Sequence, residues 1–161
     1  MNPHMIRDPK KALKAVNEYG DMLKYIQNPT KQMCLAAVKK TPASLRYVIH
    51  QTEEICLAAV ENNGDSLRYV RRQTKKICLA AVRSHYEALK YVRKQDEEIC
   101  LAAIKINADA LIYVINQTED LCTKAFEIDP TILQFIRDDK IYDKLNVLRI
   151  EKAFEELLPI T

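Results

Sequence analysis

The five cysteines are the residues best suited to metal or redox chemistry, and they recur at an interval of 22 residues, at Cys34, Cys56, Cys78, Cys100 and Cys122. A zinc site needs sulfur atoms that converge to about 2.3 Å from one ion. Equivalent residues of stacked repeats lie about 10 Å apart instead, a separation that excludes both a shared metal site and disulfides. Ala12 takes the cysteine position in one further copy. We therefore interpret the cysteines as small buried apolar residues, and we expect no metal or other cofactor.

The sequence around each cysteine also repeats, which indicates a tandem array. The segment Cys-Leu-Ala-Ala-Val begins at Cys34, Cys56 and Cys78, and variants of it begin at Ala12, Cys100 and Cys122. A second segment, Leu-x-Tyr-Val or a close variant, begins in the same register at Leu23, Leu45, Leu67, Leu89, Leu111 and Leu133. Six copies in one register predict six structural repeats.

Each copy has the start signals of two short helices. A Thr or Asp that can cap a helix precedes the cysteine segment at Thr30, Thr52, Thr74, Asp96 and Thr118. A second set of caps precedes the tyrosine segment at Thr41, Asn63, Asn107 and Asp129, with Pro42 and Pro130 in the first turn. Because helices of this length are marginal alone, we expect the hairpins to bury their apolar sides by stacking.

The predicted fold is all-α: an α-solenoid of six stacked 22-residue helix-turn-helix repeats with a longer C-terminal capping helix. The repeat array covers 1–139, with repeats at about 8–29, 30–51, 52–73, 74–95, 96–117 and 118–139. The capping helix falls within 140–161, and we predict that it covers the last repeat through Leu145, Leu148, Ala153, Phe154 and Leu157.

Composition favours a folded, non-enzymatic protein. The chain of 161 residues is 48% hydrophobic and 29% charged, without an apolar run long enough to cross a membrane. Its start, Met1–Lys11, lacks the apolar stretch of a secretory signal, so we expect a cytoplasmic protein. The two glycines and three histidines form no phosphate loop, nucleophile elbow or acid–base cluster. We therefore expect neither catalysis nor a small-molecule substrate.

The tyrosines at the end of the second segment could stack nucleobases or pack in the core. They are Tyr25, Tyr47, Tyr69, Tyr91 and Tyr113, with Phe135 in the last copy. Their fixed spacing from the neighbouring leucine and valine favours packing, with the hydroxyl left at the rim.

Positive charge gathers where the repeat varies. Residues 65–94 contain nine basic and two acidic residues, although the whole chain has a net charge of only +3. Lys75 and Lys76 stand at a helix start, where they oppose the helix dipole at a cost of roughly a few tenths of a kcal/mol each. The predicted binding residues are Lys24, Arg46, Arg68, Arg71, Arg72, Lys75, Lys76, Lys90, Arg93 and Lys94.

Four isoleucines interrupt the polar positions of the later repeats: Ile106, Ile112, Ile115 and Ile128. Exposed next to a basic patch, they would extend a contact surface. We favour the other interpretation, in which they contact the C-terminal capping helix.

The segments CLAAVENNGDSLRYV and CLAAIKINADALIYV resemble a family of short helical-hairpin repeats of unassigned function, found mainly in large DNA viruses, phages and bacteria. The resemblance covers about residues 12–136. It implies a stacked α-hairpin scaffold and carries over no catalytic residue.

Together these patterns predict a repeat scaffold that binds, and by occupying it blocks, a protein partner with an acidic surface. A viral or phage inhibitor of a host defence protein would fit the distribution of the resembling family. The alternatives are an RNA- or DNA-binding module that uses the same basic patch, and a homo-oligomeric structural module joined through the region of Ile106–Ile128.

Overall fold

A computed structural model describes residues 5–157, and it shows helices that recur every 22 residues. Seven α-helices are α1 (Pro9–Glu18), α2 (Lys31–Lys40), α3 (Glu53–Asn62), α4 (Lys75–Ser84), α5 (Glu97–Ile104), α6 (Glu119–Ile128) and α7 (Asp139–Leu157). Six 3₁₀ helices alternate with them: η1 (Gly20–Tyr25), η2 (Pro42–Tyr47), η3 (Gly64–Tyr69), η4 (Tyr86–Tyr91), η5 (Ala108–Tyr113) and η6 (Pro130–Phe135). Apart from an isolated bridge between Ile6 and Ile26, residues 5–157 contain no strand. The predicted all-α helical-repeat fold is confirmed.

The predicted caps begin the α-helices. The side chains of Thr30, Thr52, Thr74, Asp96 and Thr118 each accept a hydrogen bond from the backbone N–H three residues later. Asn63, Asn107 and Asp129 accept from the N–H two residues later and so begin η3, η5 and η6. Each cap satisfies one of the N–H groups that a helix start leaves without a partner.

The second helix of each repeat is a 3₁₀ helix, which changes the interpretation of the tyrosines. A 3₁₀ helix has three residues per turn, so residues three apart share one face. In η3 and its C-cap that face consists of Gly64, Leu67 and Val70, all buried. Tyr69 lies one third of a turn away and is half-buried. The tyrosines therefore line the rim of the core rather than its interior.

The chain divides into two compact units, the first ending at Arg93 and the second beginning at Lys94. In the first unit, α1 to α4 pack in sequence, and each contacts the 3₁₀ helix of the preceding repeat where there is one. In the second unit, α5, α6 and α7 pack in the same way with η5 and η6. The core of a repeat is apolar, as in α3, which buries Ile55, Cys56, Ala59 and Val60.

The predicted apolar stripe of the C-terminal helix is wrong at Leu148, Ala153 and Phe154, which are not covered by the last repeat. α7 contacts α6 and η6, and Leu145 is 1% exposed there. Leu148, Ala153 and Phe154 are exposed. The side chain of Leu157 and residues 158–161 lie outside the described part of the chain. For Ala153 and Phe154 the reason is length, because α7 has 19 residues and α6 only 10, so at 1.5 Å per residue the second half of α7 extends past the helix that it packs on.

None of the helices within residues 5–157 combines the length and the apolar content needed to span a membrane.

Candidate binding surface

A row of cations lies over the tyrosine rings of η1 to η4. We call Lys24, Arg46, Arg68 and Lys90, with the tyrosine that follows each, the tyrosine–cation row. Lys24 Nζ lies 4.8 Å from the ring centre of Tyr25, and the Arg46 guanidinium lies 4.6 Å from that of Tyr47. Such contacts stabilise an exposed cation by roughly 0.5–1 kcal/mol each. All four cations are exposed and are therefore held in place without being covered.

Arg68 joins two repeats within this row. Its guanidinium lies 5.0 Å from the ring centre of Tyr69 and 5.7 Å from that of Tyr91, one repeat later. Lys90 Nζ lies 5.1 Å from the Tyr91 ring centre. The ring of Tyr91 thus has cations from two successive repeats against it.

Two cations of the tyrosine–cation row, Arg46 and Lys90, also form ion pairs with carboxylates. Arg46 Nη2 lies 3.6 Å from Asp21 Oδ2, and Lys90 Nζ lies 3.3 Å from Glu87 Oε2. Partial desolvation lowers the pKa of Lys90, but the hydrogen bond to Glu87 and the charges of Asp65, Tyr91 and Glu87 outweigh it and raise the pKa overall. Lys90 therefore stays positively charged. Because these pairs are exposed, each contributes only about 0–1 kcal/mol to stability.

Arg71 and Arg93 are held by the backbone of the preceding repeat. Arg71 Nη1 donates to the carbonyl oxygen of Ile49 at 2.5 Å. Arg93 donates from Nη1 to the Arg71 carbonyl at 2.8 Å and from Nη2 to the Val70 carbonyl at 3.1 Å. In the second unit, Arg137 reaches the Val114 carbonyl in the same way. Arg71 and Arg93, two of the predicted binding residues, therefore have a structural role that accounts for their presence.

Lys76 at the start of α4 lies beside a carboxylate, which offsets its unfavourable position in the helix dipole. Lys76 Nζ lies 2.9 Å from Glu53 Oε1 in the preceding repeat. Lys31 pairs with Glu54 across the previous repeat boundary, and Lys124 and Lys144 pair with Glu97 and Glu119 in the second unit. Lys76 thus belongs to a pattern of ion pairs between successive α-helices. Lys75 is exposed and also has an interaction of its own.

Arg72 and Lys94 complete the predicted set, and both are exposed. Arg72 follows η3 and lines a cleft with His50 and Arg71. Lys94 is the first residue of the second unit. By their contacts, most of the predicted residues fall into four groups: the tyrosine–cation row, hydrogen bonds to the backbone, ion pairs between α-helices and the lining of one cleft.

A row of glutamines was missed by the sequence interpretation. Gln51, Gln73, Gln95 and Gln117 precede the α-helix caps, and their Nε2 atoms donate at 2.9 Å to the carbonyl of the aromatic residue of the next repeat: Tyr69, Tyr91, Tyr113 and Phe135. Their Oε1 atoms accept from the backbone N–H two residues after that aromatic residue. Their constant spacing of 22 residues was the signal that could have revealed them.

The isoleucines of the second unit do not pack as expected. Ile106, Ile112, Ile115 and Ile128 are all exposed, Ile115 to 68%. α7 contacts α6 and η6, whereas η5, which carries Ile112, is not among its neighbours. The expectation that the capping helix covers these side chains is wrong.

All five cysteines are buried and none is in a disulfide, in agreement with the packing interpretation. Burial raises the pKa of Cys100 to about 11, and the charges of Asp96 and Glu97 act in the same direction. Burial also raises the pKa of Cys122 to about 11, with Arg137 opposing the shift and Asp138 adding to it. Thiols with such pKa values are poor nucleophiles at neutral pH. Within residues 5–157 no three His, Cys, Asp or Glu side chains are grouped to hold a metal ion.

Comparison with known proteins supports the repeat and leaves its role open. A family described as "Domain of unknown function (DUF4116)" matches residues 52–95 and 74–117. Each match spans two repeats, and the second begins one repeat after the first, so the family unit is a pair of these hairpins. No curated protein and no solved structure gives a significant match. Over its central repeats the chain is therefore similar to a repeat family of unassigned function.

Proposed function

We propose that this chain is a non-enzymatic binding module that contacts an acidic protein surface through the tyrosine–cation row of its first unit. The observation that carries the proposal is the position of Arg46, Arg68 and Lys90, each exposed yet resting on a tyrosine ring. A side chain already ordered before binding loses less conformational entropy when the partner arrives. A carboxylate that approaches such a guanidinium can form paired, charge-assisted hydrogen bonds.

The same geometry favours a protein partner over single-stranded nucleic acid. Proteins that bind single strands stack bases on open aromatic faces. Here the cations occupy faces of the tyrosine rings, and displacing them would sacrifice contacts within the protein. Duplex nucleic acid offers phosphates without requiring open rings, so it is the second outcome that the experiment must distinguish. Blocking of a host defence protein is a narrower proposal that rests on the family resemblance alone.

The test is capture from the native cell with the tagged chain, with and without nuclease, followed by identification of the bound species. We compare the intact protein with a row variant, Arg46→Gln with Arg68→Gln and Lys90→Gln. The matched control, Lys39→Gln with Lys40→Gln and Arg83→Gln, also removes three positive charges, but at exposed ends of α2 and α4.

Three outcomes decide the proposal. We expect a protein that survives nuclease, is lost with the row variant and is retained with the control. Loss of the bound species after nuclease would favour the nucleic-acid alternative. Equal capture by the row variant and the intact protein would show that the tyrosine–cation row is not the binding surface.

A further inference from the structure

Two neighbouring clefts in the first unit share the residues Ile49, His50 and Thr52. These residues lie in the loop between η2 and α3. The cleft toward the preceding repeat has a volume of about 380 Å³, and the cleft toward the following repeat about 640 Å³. Both fall in the range of sites that bind ligand groups, about 300–1,000 Å³.

The two clefts differ in chemistry. Pro29, Cys34, Ile49 and Ile55 give the first cleft an apolar lining, and the lysine at its edge, Lys31, is paired with Glu54. We call it the apolar cleft. Ile49 is 60% exposed, whereas Arg71 and Arg93 occupy the equivalent positions of the next two repeats. An exposed isoleucine in place of an arginine leaves apolar surface available at this position.

The second cleft is basic. His50, Arg71 and Arg72 line it, and the carboxylate on its wall, Glu53, is paired with Lys76 at 2.9 Å. We call it the basic cleft. Within residues 5–157 the guanidinium of Arg72 has neither a hydrogen-bond nor an ion-pair partner. The basic cleft therefore offers an uncompensated positive charge beside the exposed edge of Ile49.

The repeat sets the distance between the two clefts. They open between successive loops of one stack, and packed helices lie about 8–10 Å apart. An extended peptide in the polyproline II conformation has three residues per turn and rises about 3.1 Å per residue, so its side chains at positions i and i+3 lie on the same face. Side chains three residues apart in such a peptide are thus separated by about one repeat, and the two fall on neighbouring clefts.

We propose that the apolar and basic clefts together bind an extended segment of the partner, with an apolar side chain in the first and an acidic side chain three residues away in the second. This inference rests on the proposed function, because it specifies which part of an acidic protein partner the chain recognises. The acidic side chain pairs with Arg72, and the apolar side chain packs on Ile49.

A defined peptide tests the inference without knowledge of the natural partner. The probe is fluorescein-labelled Leu-Ser-Ser-Glu-Ser-Ser-Leu, which presents an apolar residue three positions from the acid in either chain direction. Binding to the full chain is measured by fluorescence anisotropy. We expect binding to weaken about tenfold when the probe glutamate is replaced by glutamine, and by a similar factor when both leucines are replaced by serine.

Two variants of the protein test whether the probe binds in the two clefts. Ile49→Arg introduces the residue found in the next two repeats, so the fold should accept it, which thermal unfolding checks. It fills the apolar cleft while it adds a positive charge, and we expect it to weaken binding about tenfold. Arg72→Gln removes the cation of the basic cleft and should also weaken binding about tenfold. Arg83→Gln, an equal loss of charge on α4, should leave binding unchanged.

The opposite results overturn the inference. Tighter binding by Ile49→Arg would show that charge alone attracts the probe, and unchanged binding by Arg72→Gln would exclude the basic cleft. No binding by the intact chain would also overturn the inference. None of these results decides the proposed function, which the capture experiment with the row variant tests separately. Loss of the probe with the row variant alone would move the peptide site to the tyrosine–cation row.

Discussion

The side-chain amide of Gln73 donates a 2.9 Å hydrogen bond to the carbonyl oxygen of Tyr91, and its oxygen accepts a 2.9 Å bond from the N–H of Arg93. Tyr91 is the last residue of η4, and Arg93 lies just beyond that helix. Helix ends leave backbone groups without partners inside the helix. A glutamine of one repeat thus completes the backbone hydrogen bonding of the next. These bonds lie at the boundary between two stacked repeats.

Replacement of Gln73 by alanine should lower the free energy of unfolding by about 1–3 kcal/mol, because two hydrogen bonds to the backbone are lost and each contributes about 0.5–1.5 kcal/mol. One of these bonds is part-buried and the other is exposed. Urea denaturation monitored by circular dichroism measures the change. Gln32→Ala removes an exposed glutamine from α2 and should stay within about 0.5 kcal/mol of the intact protein. Equal stability of the two variants would refute the structural role of Gln73.

Arg93 and Arg72 should respond differently to the same substitution. Arg93→Gln removes two hydrogen bonds to carbonyl groups of the preceding loop and should lower the free energy of unfolding by about 1–2 kcal/mol. Arg72→Gln should change it by less than about 0.5 kcal/mol, as is usual for an exposed side chain. The comparison uses thermal unfolding at one pH and salt concentration. A larger effect at Arg72 would contradict the assignment of Arg93 to structure.

The buried thiols should make the chain less stable in alkali. The pKa values of Cys100 and Cys122 are raised to about 11 from an ordinary value of 9.0. Thiols of the unfolded chain therefore ionise at lower pH than those of the folded chain, and the free energy of unfolding falls as the pH rises from about 9 to about 11. Below pH 9 the thiols are neutral in both states and add no pH dependence.

A double variant isolates this contribution. Cys100→Ala with Cys122→Ala keeps the titrating lysines and tyrosines, and Ala12 shows that alanine occurs at this position of the repeat. Denaturation curves at pH 8, 9, 10 and 11 should show a shallower fall for the variant than for the intact protein. Parallel falls would mean that the thiols do not contribute.

The two halves of α7 should differ in their importance for stability. Leu145 is 1% exposed, and Leu145→Ala should lower the free energy of unfolding of the second unit by about 2–5 kcal/mol. Phe154 is 61% exposed, so Phe154→Ala should change it by less than about 0.5 kcal/mol. Hydrogen exchange of α6 and α7 reports on this unit directly. A large loss at Phe154 would show that the second half of α7 is packed after all.

Most of the fold could be predicted because the repeat makes every local pattern visible several times. The recurrence of Cys34 at intervals of 22 residues set the period, and caps such as Thr52 set the helix starts. The prediction for the C-terminal apolar stripe was wrong because an amphipathic helical period appears in the sequence whether or not another helix packs against that face. Periodicity predicts the face of a helix, whereas the length of its neighbour decides how much of that face is covered.

The candidate site was predictable in composition but not in arrangement. The concentration of basic residues in 65–94 is a property of the sequence. Arg71 and Arg72 are adjacent, chemically identical and both line the basic cleft, yet only Arg71 donates to the Ile49 carbonyl. This difference depends on which backbone atoms of the preceding repeat lie within reach of each side chain.

By itself, the sequence determined the 22-residue period, the α-helix starts and the burial of the cysteines. These follow from side-chain spacing and capping, which act within one repeat. Only the tertiary structure decided that the second helices are 3₁₀ helices, that Gln73 and Arg93 complete the backbone of neighbouring repeats, and that Arg68 rests between Tyr69 and Tyr91. Those contacts join atoms of different repeats, and stacking geometry rather than residue order brings such atoms together.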